Sequence, residues 1–162
     1  MQTNSFVPIV MVAAGDMYLD TGILVKLLTP ERETAFFDRE LQGHPLTTSE
    51  LALVEAKTAL CGKERAGRIT AVQRERAEMK FGAMISDGLL QLLDMNQRTF
   101  RKAMQIIQQC HPGLSLRALD ALHLAACDLA QEFPLCTTDA PMHAAAQRIA
   151  IPLFPEKLPL KI

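Results

Sequence analysis

Short apolar runs alternate along the chain with longer stretches in which apolar residues return every three or four positions. The runs are "MYL" ending at Asp20, a brief one near Leu46, "LLQLL" over 89–93, "FPLC" over 133–136 and "IPLF" over 151–154. Each has the length and content of a short buried strand. Between them, "TGILVKLL" predicts a helix toward Pro30, and "PERETAFFDRELQG" a second one closed by Gly43. Thr47 and Glu50 stand at capping-box spacing, which predicts a helix from Thr47 to Gly62 or Gly67. Further helices are predicted in "RITAVQRERAEMKFGAMISDG", in "NQRTFRKAMQIIQQC", from Ser115 as N-cap through "LRALDALHLAACDLA", and in "APMHAAAQRIA". Strands alternating with helices build a mostly parallel sheet between two helical layers. The expected fold class is three-layer α/β/α.

Composition narrows this only a little. The 162 residues are 49% hydrophobic and 22% charged, enough for one full core, with a formal net charge of −1. That balance gives no global attraction to nucleic acid or to an anionic membrane. Cys61, Cys110, Cys127 and Cys136 lack CxxC or zinc-ribbon spacing and read as reduced residues of a cytoplasmic protein. The apolar run from Phe6 to Gly15 has no basic residue before it and is too short to span a bilayer. Residues 1–16 therefore read as an extension or alternative start, and 17–162 as one domain.

Four acidic residues stand out against apolar neighbours. Asp20 ends the first strand and Asp139 the fourth, at the edge where open parallel sheets bind ligands. Asp120 and Glu55 fall near the N-terminal ends of their helices, which favour negative charge. Asp20 and Asp139 could simply be helix caps and Glu55 a solvent-facing residue. Asp120, between Leu119 and Ala121, has little polar face to sit on. Clustered carboxylates are costly unless paired or bound to a cation, and an all-oxygen donor set suits Mg2+ or Mn2+ better than zinc. On this reading Asp120 is the least comfortable charge of the metal-free fold.

Four stretches, "MYLDTGILVKLL", "LTTSELALVEAKTAL", "LRALDALHLAAC" and "LCTTDAPMHAAAQRIAIPL", together resemble the PIN-domain family, and within it the VapC-type toxin ribonucleases. The resemblance covers residues 17 to about 154 in the family's order. It implies a PIN-like central sheet of about five strands. It also implies that Asp20, Glu55, Asp120 and Asp139 are the catalytic, metal-binding quartet for Mg2+ or Mn2+. Asp20 and Asp120 would be direct ligands, with Glu55 and Asp139 binding a second ion or its waters and Glu55 also able to act as base or position water. Thr21, Ser49 and Thr137 match supporting hydroxyl positions, while Gly22 stands where the family more often has serine. The implied activity is hydrolysis of RNA phosphodiester bonds. The implied partners are RNA, a cognate antitoxin and a second copy in a homodimer, with no membrane.

RNA would need basic contacts. Arg117 adjoins an acidic motif, and Lys63, Arg65 and Arg68 belong to a charged segment that could equally be a solvated helix face. Alternatives are a mixed Asp/His zinc or manganese site using His123 or His143, an aspartyl phosphatase or receiver, and an inactive PIN-like binding module. Gly22 replaces the second aspartate of the phosphatase motif, and the late lysine of a receiver is missing from "LCTTD". Phe36 and Phe37 could serve an interface or the core.

Overall fold

A computed structural model of the chain describes residues 16–159, so the reading of 1–16 as an extension lies, but for Asp16, outside the described residues. Five parallel strands form one sheet: β1 (Met17–Leu19), β2 (Leu46–Ser49), β3 (Leu90–Leu93), β4 (Leu135–Cys136) and β5 (Leu153–Phe154), in the order β3-β2-β1-β4-β5. The helices are α1 (Thr21–Leu28), α2 (Thr34–Glu40), α3 (Leu51–Arg65), α4 (Ala71–Ser86), α5 (Gln97–Cys110), α6 (Ala118–Ala130) and α7 (Ala140–Arg148).

The two-residue period of β1 divides its side chains between two cores. Met17 and Leu19 pack with Ile23, Leu24, Phe37 and Phe81 on one face; Tyr18 packs with Ile106, Leu124 and Ala145 on the other. Helices α1–α4 thus cover one side and α5–α7 the opposite side, as the alternation predicts. Phe37 is fully buried and Phe36 stacks on Phe154, so the pair serves the core.

The sheet grows from β1 toward β3 on one side and then from β1 toward β5 on the other. Strand order reverses at β1, and the crevice outside the carboxyl ends of β1 and β4 lies at that switch point.

Two helix starts differ from expectation. Thr47 lies in β2, pairing with β1 and β3, and the helix opens only at Leu51. The Thr47 and Thr48 hydroxyls bond Asp16 and the Leu19 carbonyl instead of capping. Helix α6 opens at Ala118, not after Ser115, because Leu114 and Leu116 pack against the second core from an extended segment. Asp120 consequently sits in the first turn of its helix. The capping boxes fall at Thr70/Gln73 and Asn96/Thr99.

Candidate functional site

Asp20 leaves β1 as the N-cap of α1. Its Oδ1 accepts the Ile23 amide at 2.7 Å and its Oδ2 accepts the Thr137 hydroxyl. Thr137 Oγ1 in turn accepts the Asp139 amide at 3.0 Å, and Asp139 caps α7 through the Met142 amide at 2.9 Å. The ends of β1 and β4 are thereby tied together by the site's own side chains. Both aspartates are caps, and both also stand in the switch-point crevice. Gly22 leaves room there: a Cβ at this position would come within 3.3 Å of Asp20 Oδ1.

Arg117, the residue before α6, binds Asp120 through both carboxylate oxygens at 2.7 and 3.2 Å and reaches Asp139 at 2.8 Å. Glu55, the fifth residue of α3, accepts the Thr21 hydroxyl at 2.5 Å and meets His123 Nε2 at 2.7 Å, both through Oε2. The Tyr18 hydroxyl lies 2.9 Å from the other ring nitrogen, Nδ1. Ser49 Oγ, fully buried at the end of β2, has no hydrogen-bond partner among the described residues.

The electrostatic burden of burial is plain at Asp20. Burial pushes the Asp20 carboxyl above its usual range, and the charge of Asp139 adds to the rise; hydrogen bonds from Thr137 and Ile23 oppose it. Asp120, 6% exposed, is instead gripped by Arg117. Burial also works against the charge of Glu55. There the hydrogen bonds from His123 and Thr21, with the charge of Arg117, prevail and hold the carboxyl below its ordinary value.

As the side chains stand, no three acidic, histidine or cysteine groups among the described residues are gathered to hold a metal ion. A guanidinium occupies the meeting point of Asp120 and Asp139. The donor chemistry nonetheless fits a hard divalent cation. Asp20 is a buried carboxylate with Asp139 beside it, Asp139 and Asp120 share a single positive group, and a buried hydroxyl lacks a partner among the described residues. The mixed Asp/His alternative is not assembled, since His123 is engaged by Tyr18 and Glu55, and His143 Nε2 by the Pro155 carbonyl.

The quartet and its three supporting hydroxyls share this edge, but the basic segment does not. Lys63 is bound to Glu31 at 2.6 Å, beyond the far end of α1. The helix separates that pair from Asp20 by roughly 12 Å. Arg65 and Arg68 lie at and just beyond the C-terminal end of α3, a helix that begins at the site edge. The neighbouring Arg74 is held by Glu64 and Glu78. Of the four basic candidates, Arg117 is the one at the carboxylates.

A family model of the PIN domain matches residues 17–147. The chain belongs to the PIN-domain family. Among curated protein sequences nothing matches. Solved structures share the fold. VapC20 of Mycobacterium tuberculosis, a sarcin-ricin loop cleaving toxin, superposes with a TM-score of 0.62 at 18% identity, over 80% of this chain and 95% of that one. FitAcB from Neisseria gonorrhoeae gives 0.60 at 14% identity, over 85% and 95%. VapBC2 from Rickettsia felis, bound to a DNA fragment, gives 0.59 at 16%, over 85% and 96%.

In this PIN domain the residues hardest to read from sequence are Tyr18 and His123. Each sits in an apolar run, and a buried histidine there is read most simply as packing. The available signal is the three-residue spacing from Asp120 to His123, which places both on adjoining parts of one helix face.

Proposed function

We propose that the chain is a metal-dependent endoribonuclease that hydrolyses RNA phosphodiester bonds, the toxin of a type II toxin–antitoxin pair acting in the cytoplasm. The observation that supports this best is the convergence of Asp20, Asp120 and Asp139 at the switch-point edge of a PIN domain, two of them sharing one guanidinium. Bound Mg2+ or Mn2+ would supply Lewis-acid stabilisation of the phosphoryl oxygens and an acidified water.

The chain's own residues would do the rest. Asp20, Asp120, Asp139 and Glu55 would hold the cation. Thr137 and the Ile23 amide orient Asp20, and Thr21 orients Glu55. Glu55, depressed in pKa and therefore ionised at neutral pH, can accept a proton or position water. Arg117 is exposed on its outer side and can exchange a carboxylate for an RNA phosphate. Fold neighbours include a toxin–antitoxin complex from Klebsiella pneumoniae, which supports an antitoxin as partner, and a homodimer accords with the family resemblance.

The test is cleavage of total RNA with Mn2+ or Mg2+, with and without EDTA, beside Asp120→Asn. Metal-dependent cutting that Asp120→Asn lacks is the expected result. Equal cutting by both proteins would remove the site assignment, and no cutting by either, with no metal bound, would favour a binding-only module.

A further inference from the structure

Tyr18, His123 and Glu55 form a buried line of hydrogen bonds from the interior of the sheet to the acidic crevice. Tyr18 is on β1, His123 on α6 and Glu55 on α3, so the line joins three elements from both sides of the sheet. Tyr18 is fully buried and His123 is 2% exposed. A polar pair at this depth is tolerated only when its hydrogen-bonding groups are satisfied.

We propose that His123 is a positioning residue that aims Glu55, with Tyr18 setting the ring's tautomer. The proposal rests on the nuclease reading for its functional consequence, and on geometry for the relay itself. A phenol, with an ordinary pKa of about 10, keeps its proton at neutral pH and has one to donate. Nδ1 of His123, 2.9 Å away, receives it. A neutral imidazole accepting at Nδ1 must carry its hydrogen on Nε2. That hydrogen points at Glu55 Oε2, 2.7 Å away.

Thr21 donates to the same oxygen at 2.5 Å. Two donors on Oε2 fix the carboxylate's rotation, while Oε1 takes no hydrogen bond among the described residues. One oxygen is thus tethered and the other left for a cation or its water. The benefit is entropic. Glu55 lies beside exposed Leu53 and Val54, where an untethered glutamate would keep rotamer freedom to lose on binding.

The relay separates from simple packing by which substitutions restore it. Gln at 123 can place an amide N–H where Nε2–H stands; Leu cannot. In single-turnover cleavage with Mn2+, His123→Leu should lose about ten- to a hundredfold, the scale for removing a group that orients a ligand. His123→Gln should recover most of it. In a Glu55→Gln background, His123→Leu should cost less than about twofold, because the carboxylate it acts through is gone. Thermal melts show whether each variant folds.

A second readout needs no activity. Nitrogen NMR of the metal-free protein should show His123 as the Nε2–H tautomer, and Tyr18→Phe should mix the two tautomers. An equal loss from His123→Leu with and without Glu55, or an Nδ1–H tautomer in the wild type, would overturn the proposal. If the wild type cuts no RNA, the nuclease reading fails, and the tautomer still decides the relay.

Discussion

Arg117 grips both oxygens of Asp120 across a single helical turn, at 2.7 and 3.2 Å, and extends the same guanidinium to Asp139 at 2.8 Å. A cation built into the chain therefore stands between two carboxylates that are candidate metal ligands. On the proposed reading, Arg117 and a divalent ion would compete for the same oxygens.

Arg117→Ala should lower stability in EDTA and tighten Mn2+ binding. The guanidinium is 68% exposed, so solvent screens the pair and the stability loss should be about 1 kcal/mol, or roughly 3 °C in Tm. Removing the competitor should improve Mn2+ affinity by about fivefold, the equivalent of that energy. Calorimetric titration with Mn2+ checks it. An unchanged or weaker affinity would show that Arg117 does not compete with metal.

Asp20 gives a pH dependence of definite sign. Its folded pKa lies above the ordinary aspartate value of 3.8, so the folded state holds the proton more tightly than the unfolded chain. Stability of the metal-free protein should therefore fall as pH rises from near 3.8 through the raised value, as the buried carboxyl ionises. Glu55 acts oppositely: its folded pKa lies below 4.5, so its contribution is present above 4.5 and is lost as pH falls through the lower value. Asp20→Asn keeps a capping oxygen and removes the charge. In EDTA it should be more stable than wild type at pH 7.5, with the difference shrinking toward pH 4. Urea melts at the two pH values measure this, and a variant less stable at pH 7.5 would refute it.

Lys63 should matter to stability and not to RNA. Its ammonium is bound to Glu31, away from the carboxylates. Lys63→Ala should cost at most about 1 kcal/mol and leave the KM for RNA within about twofold. Arg117→Ala, tested beside it, should raise KM. A large KM effect at Lys63 with none at Arg117 would move the RNA path to the other end of α3.

The period of apolar residues carried most of the fold because each short run had to be buried on both faces, which leaves few arrangements other than a parallel sheet between helices. Three carboxylates of the candidate site stood out for a related reason: Asp20, Asp120 and Asp139 are charges inside otherwise apolar stretches. Helix starts were less legible. Thr47 had the spacing of a cap, yet pairing with two strands outweighed that local preference, and Leu114 and Leu116 held Ser115 out of the helix. The partner of Asp120 could be guessed from its i−3 position. The partners of His123 could not, since Tyr18 and Glu55 stand 105 and 68 residues away and meet it only through the sheet.

Ser49 offers a test of the crevice without metal or RNA. Its hydroxyl is fully buried and lacks a hydrogen-bond partner among the described residues, although it lies near enough to the Tyr18 phenol to ease that group's ionisation. A buried hydroxyl without a partner forfeits its bonds to water and returns nothing, at a cost of about 1–3 kcal/mol. Alanine fills the same backbone position without that cost and leaves only a small void. Ser49→Ala should therefore raise stability by about 1 kcal/mol in EDTA. The gain should shrink or reverse with saturating Mn2+ if the hydroxyl holds one of the ion's waters. Thermal melts of both proteins under the two conditions measure the difference. A loss of stability in EDTA would show that the hydroxyl is already bonded, and would take Ser49 out of the set of groups awaiting a cation.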